Sequence, residues 1–210
     1  MPYLRTDPPV PEPIDCRIMT AALELFVLHG YHNVSVHEIQ KRANVSIGSI
    51  YNHFGGKEGI ARALYQHILK QIEEMVDDTI AEIPSPVSQC ESIIEQLFQY
   101  TETHRDIIAF VFNAKHVEFL PQEPLICDAA PFIKMRNIVQ DGMKQGLIKK
   151  ADPWVATSVI FGGAFRLIQL RLDGAIDQPL SAFSEAVLEM VWLGTGCAQA
   201  VEPLSLVKSK

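Results

Sequence analysis

Residues 35–58, SVHEIQKRANVSIGSIYNHFGGKE, gather the side chains best suited to chemistry in this chain. That chemistry is surface recognition rather than bond making. Ile47, Gly48, Ser49, Asn52 and His53 point outward from one short helix, with the phenol of Tyr51 and the ammonium of Lys57 beside them. Hydroxyl, amide, imidazole and ammonium groups are the donors that meet phosphate oxygens and base edges. Gly48 on the first helical turn permits close approach to a groove wall, at about 1 kcal/mol of helix stability relative to alanine. Covalent chemistry has no comparable grouping: there is no nucleotide loop, paired-histidine metal motif, nucleophile elbow or compact carboxylate pair. His104 and His116 are twelve residues apart, which does not by itself make them ligands on one helix face. No catalysis, metal or cofactor is expected.

Two short helices and a tight turn must position these groups. Ser35 followed by Glu38 is a capping box, in which each side chain takes the other residue's orphan amide. Val36, Ile39 and Ala43 give that helix a buried stripe, leaving His37, Lys41 and Arg42 outside. Asn44 can adopt the left-handed backbone that ends a helix, and Val45 plugs the turn into the core. Ser46 caps the next helix, 47–54, which Ile50 and Phe54 anchor inward. The layout is that of a helix-turn-helix, whose second helix enters the major groove of DNA.

The surrounding pattern resembles the TetR family of bacterial transcriptional regulators. It begins at Ala21-Ala22-Leu23-x-Leu25-Phe26-x-x-x-Gly30-Tyr31 and continues through Ser35-Val36-x-x-Ile39. It then runs through Ala43-x-Val45-Ser46-x-Gly48-Ser49-Ile50-Tyr51-x-His53-Phe54 to Lys57-Glu58-Gly59-Ile60. Asn44 stands where the family usually has glycine, and Ser35 where threonine is common. The resemblance implies that Tyr51, Lys57 and His53 hold operator phosphates, with Ser35 and Ser46 meeting phosphates at helix starts. It places Ile47, Gly48 and Ser49 where base edges are read, with His37 a further reader. Ile47 offers only apolar contact, so DNA shape is expected to carry part of the specificity.

Charge is distributed to suit this placement. The chain carries −7 overall, but residues 1–70 hold seven Lys/Arg against six acids, and five of the seven histidines. The acidic excess lies in the remainder, so the protein should dock DNA in one orientation, with a steep salt dependence. Four widely spaced cysteines (Cys16, Cys90, Cys127, Cys197) read as free thiols in a reducing cytoplasm. Nothing in the first residues reads as a signal peptide. With five prolines in thirteen residues, segment 1–13 is expected to be a loose, flexible arm.

The fold class is all-α. The expected division is a three-helix DNA-binding head over 14–56, a connecting helix over 57–83, a larger ligand-binding and dimerisation body over 84–200, and a tail over 201–210. Body helices are expected over 88–103, 105–117, 124–145, 153–172 and 180–197. Residues 154–165 and 183–194 are apolar on nearly every face yet too short to span a bilayer, so burial on two sides is expected, one of them against a second copy. The resemblance implies a homodimer formed by these two helices, and no membrane partner. The middle helices are the candidate sensor: Phe98, Ile108, Phe112 and Trp154 could line an apolar cavity, with His104, Asn113, His116 or Arg166 as polar contacts. An ion pair from Arg166 to Glu185 or Glu189 across the dimer is the other reading of that arginine. The function expected is a ligand-responsive regulator, a repressor by preference, binding a palindromic operator. The alternative is a helical small-molecule-binding protein that keeps the head without operator binding.

Overall fold

The computed structural model describes residues 2–5, 10–113 and 116–197. Helix α1 (Ile14–His29) buries Ile18, Ala21, Ala22, Leu23 and Phe26 and stops at Gly30. Helices α2 (Val36–Ala43) and α3 (Ile47–Phe54) pack beneath it. Arg17 of α1 donates to the carbonyls of Ala43 and Asn44, both at 2.6 Å. A cation there satisfies orphan carbonyls and complements the negative end of α2. The head is thus locked by polar as well as apolar contacts.

Helix α4 (Lys57–Glu82) has the expected limits. Its 26 residues extend about 39 Å at 1.5 Å per residue. Ile60, Leu64, Ile68, Ile72, Met75 and Val76 are all nearly inaccessible, and they join the head core to the body core in one continuous cluster. Helix α5 (Pro86–Thr103) begins with proline in its first turn, where a missing amide costs nothing.

The expected helix over 105–117 appears as α6 (Arg105–Asn113) and the single turn α7 (His116–Phe119). The one over 124–145 is shortened to α8 (Ala130–Lys144) behind a 3-10 turn at Ile126–Asp128. Pro121, Pro124 and Pro131 explain the delay, because each removes an amide donor and restricts the residue before it. Helix α9 (Pro153–Leu172) starts as expected, with Asp152 accepting from the amides of Trp154 and Val155. Helix α10 (Ser184–Thr195) follows a 3-10 turn at Leu180–Phe183. Among the described residues the only bridge is an isolated antiparallel pair, Ile148 with Gly196.

The amino terminus differs from the loose arm its prolines suggested. The Gln71 side-chain amide brackets the segment, donating to the Pro2 carbonyl (2.6 Å) and accepting from the Leu4 amide (2.7 Å). Leu4 is buried, the Tyr3 hydroxyl lies 2.7 Å from Cys16 Sγ, and Arg5 pairs with Asp78. Residues 2–5 are therefore pinned along α4, away from the recognition helix.

Candidate nucleic-acid interface and adjoining cavity

The turn between α2 and α3 forms as its residues dictate. The Glu38 amide donates to Ser35 Oγ (3.2 Å), and the Glu38 carboxylate accepts from the Ser35 amide (2.7 Å). The Ser35 hydroxyl donates to the same carboxylate (2.7 Å), and that bond, with the one from the Ser35 amide, holds the Glu38 carboxyl below its usual range. Asn44 is left-handed, at φ 51° and ψ 53°. The Ser49 amide donates to Ser46 Oγ at 3.0 Å. Both cap hydroxyls are thus engaged inside the protein, and what Ser35 and Ser46 leave for an anion is the free amides of the two first turns.

Ile50 is fully buried under α3, and that fixes which face is open. Ile47, Gly48, Tyr51, Asn52 and His53 are exposed on the opposite side, Ser49 is half-buried beside them, and His37 is exposed on α2. Gly48 has room to spare: an added Cβ would meet only Ser46 Oγ, at 3.7 Å. The fold does not require glycine at this position.

Lys57 departs from expectation. Its ammonium donates to the carbonyls of Tyr31 (3.0 Å) and Val34 (2.8 Å) and sits 4.3 Å from the Tyr31 ring centre. Partial burial pushes its pKa down. Gly55 (φ 72°) and Gly56 (φ 133°) turn the chain sharply, folding this side chain back on the 31–34 turn. It is a structural tie first, and at most one of its three donors faces outward. Arg42 is likewise paired, with Glu24 at 2.6 Å. Arg42 and Lys57 are thus engaged within the protein, and hydroxyl, imidazole and amide donors carry more of any phosphate contact.

An apolar cavity of about 700 Å³ lies in the body, between α6, α7, the 120–127 loop, α8 and α9. Phe112, His116, Leu125, Phe132 and Phe165 are among its walls. Phe112 and His116 are the sequence candidates that reach it. Ile108 is packed in the core, and Phe98 is core on α5, facing a different hollow. His104 sits at the α5–α6 corner, bonded to Thr103 Oγ1. Trp154 is half exposed under the Arg136 guanidinium, 3.8 Å from its ring centre, and Arg166 is exposed, reaching Gln169 at 3.5 Å. The Asn113 side chain lies outside the described residues. For Trp154 and Arg166 the cause is local: α9 is apolar on nearly every face and does not announce which face turns inward. Phe165 was hidden by the same ambiguity.

Aromatic contacts run from this cavity to the head. His116 lies 5.5 Å from Phe119, Phe119 stacks on Tyr31 at 4.2 Å, and Tyr31 carries Lys57 at the start of α4. Glu123, also on the cavity wall, pairs with Arg62 of α4 at 3.2 Å.

His116 is 8% exposed, and burial pushes its pKa down to about 4. Its unfolded counterpart, near 6.5, takes up a proton first as pH falls. The associated stability is therefore fully present above about pH 6.5 and is lost progressively toward pH 4, to a limit of roughly 3 kcal/mol. Urea unfolding of the parent and His116→Phe at pH 7, 5.5 and 4.5 should show the parent losing its advantage over the variant by about this amount. A constant difference would contradict the buried neutral state.

A capped helix pair with an open second helix, carried on a long connecting helix, is the architecture of a helix-turn-helix DNA-binding protein. Residues 18–64 match the family described as bacterial regulatory proteins, tetR family. The chain is 30% identical over 185 residues to the HTH-type transcriptional regulator YvkB of Bacillus subtilis, spanning 80% of this chain and 89% of that one. It belongs to the TetR family of bacterial transcriptional regulators. A TetR-family regulator from Marinobacter aquaeolei superposes with a TM-score of 0.74 at 18% identity, covering 87% of this chain and 95% of that one. FadR of Bacillus subtilis in complex with stearoyl-CoA superposes with a TM-score of 0.69 at 24% identity, covering 89% and 98%.

Proposed function

We propose that two copies of this chain grip a palindromic operator, repress transcription in the cytoplasm, and release DNA when a small apolar molecule fills the body cavity. The observation that carries the reading is the open face of α3 over a fully buried Ile50. Ile47, Gly48 and Ser49 meet base edges, while Tyr51, Asn52, His53 and the free first-turn amides meet phosphates. His37 reads from α2.

The second copy docks on α9 and α10. Val155, Val159, Met190 and Leu193 are 49–72% exposed. An added Cβ at Gly162 or Gly163 would meet nothing within 4 Å, so a neighbouring helix could lie close there. By length and composition α9 is apolar enough to cross a membrane, at mean hydropathy 1.3. Its inner face packs on α5, α6, α8 and α10, however, and its outer face carries Arg166. Glu185 and Glu189 are exposed on α10, as cross-dimer partners for that arginine must be.

Ligand control follows from the links between cavity and head. A molecule against His116 and Glu123 presses on the Phe119–Tyr31–Lys57 stack and on the Glu123–Arg62 pair, both anchored to α4. It shifts the head only by its differential affinity for the two arrangements. Stearoyl-CoA is bound by the Bacillus subtilis FadR of similar fold, which supports an apolar effector here. Division of the chain into arm, head, connecting helix and body is part of the same reading.

Gly48→Ala tests the interface cleanly. Removing a helix-interior glycine should raise stability by up to about 1 kcal/mol, since nothing obstructs the methyl. Affinity for the DNA upstream of the protein's own gene, followed by gel shift against competitor, should nonetheless fall about tenfold or more as the methyl meets the groove wall. Unchanged affinity would remove α3 from the groove. Absence of any specific shift by the parent would favour a small-molecule-binding protein with an idle head.

A further inference from the structure

Three peptide units, 43–44, 44–45 and 45–46, join the last residue of α2 to the Ser46 cap of α3. A side chain holds the carbonyl of each. Arg17 of α1 donates through Nη2 to the oxygens of Ala43 and Asn44, and Gln40 of α2 donates through Nε2 to that of Val45, all at 2.6 Å. Gln40 grips Val45 twice, because its own main-chain carbonyl accepts from the Val45 amide at 3.3 Å. Rotating any of these peptide planes breaks a hydrogen bond.

The turn sets more than the direction of α3. His37 stands on α2, while Ile47, Gly48 and Ser49 stand on α3. The angle between the two helices therefore fixes where one reader lies relative to the others. A binding constellation tolerates only about 0.5 Å and 10–20° of error before its contacts weaken.

Arg17 is poorly placed to be a phosphate ligand. Both hydrogens of its Nη2 are spent on the turn. Its side chain shares a surface groove with Glu12, Glu24 and Arg42. Two acids against two cations offer a phosphate no net attraction. Gln40 carries no charge at all.

We propose that Arg17 and Gln40 are positioning residues for base readout: they hold α2 and α3 in the arrangement that reads sequence, and they act through the turn rather than through charge. The proposal rests on the reading of α3 as the recognition helix. It extends that reading to two residues that touch no DNA.

Two duplexes test it, the one most enriched from a random pool by the full-length protein and a scrambled duplex of the same length. Affinity for each is followed by fluorescence anisotropy over a salt series, well below the unfolding transition of every variant. Arg17→Met and Gln40→Met keep a long side chain and remove the donors. Each should weaken the enriched duplex about tenfold, the effect of one hydrogen bond left unmade. Scrambled-duplex affinity and the slope against log salt should stay at parent values. Arg17→Lys, whose ammonium can donate to the same carbonyls, should recover most of the loss. Weaker binding of both duplexes by Arg17→Met, with a slope shallower by about 0.9, would make Arg17 a phosphate ligand; it would overturn the proposal and leave the recognition helix in place. A lower Tm with both affinities unchanged would reduce the two side chains to stability alone and overturn it equally. Gln40→Met exchanges one neutral side chain for another, so it reads the outcome even if Arg17→Met folds poorly. A pool from which the parent enriches nothing removes the DNA reading, and the proposal with it.

Discussion

Replacing Gly59 by alanine is expected to unseat the recognition helix. An added Cβ would lie 1.7 Å from the Phe54 carbonyl oxygen and 2.8 Å from its carbon. Those atoms are backbone at the end of α3, so no side-chain rotation relieves the overlap. The Gly55–Gly56 turn folds the first turn of α4 against the last carbonyl of α3, and glycine at 59 is what lets the two helices touch. Either α3 moves away from α4 or the first turn of α4 unwinds. Overpacking of this kind costs roughly 3 kcal/mol, about a 10 °C loss of Tm for a chain of this size. If the same energy separates the DNA-competent arrangement from the relaxed one, operator affinity falls about a hundredfold. Thermal unfolding and gel shift of Gly59→Ala would measure both. A variant as stable as the parent would mean that the α3–α4 contact is looser than described. Gly48→Ala is the counterpart, a glycine whose removal the fold tolerates.

The double variant Met190→Glu, Leu193→Glu should be monomeric. Both side chains are largely exposed on one copy, at 72% and 65%, so substitution should change the stability of a single chain by no more than about 0.5 kcal/mol. In the proposed dimer the same positions are covered, and four carboxylates would be brought together without counter-charge. Each monomer would then hold a single half-site. Loss of the second, intramolecular contact should lower operator affinity by about 10²–10⁴-fold. Sedimentation gives the oligomeric state and circular dichroism the fold. A variant that sediments as a dimer would place the interface elsewhere.

Local signals made the head legible. The Ser35–Glu38 box, the left-handed Asn44, the Ser46 cap and both ends of α4 are where short-range chemistry puts them. What the sequence concealed depends on partners far along the chain. Pro2 and Leu4 are pinned by Gln71, a contact no local pattern encodes, so a proline-rich start looked loose. Lys57 looked like a phosphate ligand because its charge is visible and the carbonyls of Tyr31 and Val34 that absorb it are not. The cavity was the least legible part. Helical periodicity selects an inner face only when the outer face is polar, and α9 offers apolar residues on both, hiding Phe165 inside and showing Trp154 outside. His116 was a candidate by residue type, but its ring contacts with Tyr65 and Phe110 appear only in three dimensions.

The open face of α3, presented twice by a two-fold dimer, is the foundation of the account. Selection of bound duplexes from a random pool by the full-length protein tests it most directly. An enriched inverted repeat is expected, its half-site centres one helical turn apart (about 34–36 Å) or a multiple of that, with base preferences that change when Ile47 or Ser49 is replaced. Enrichment of a single unrepeated site, or preferences indifferent to both replacements, would contradict it.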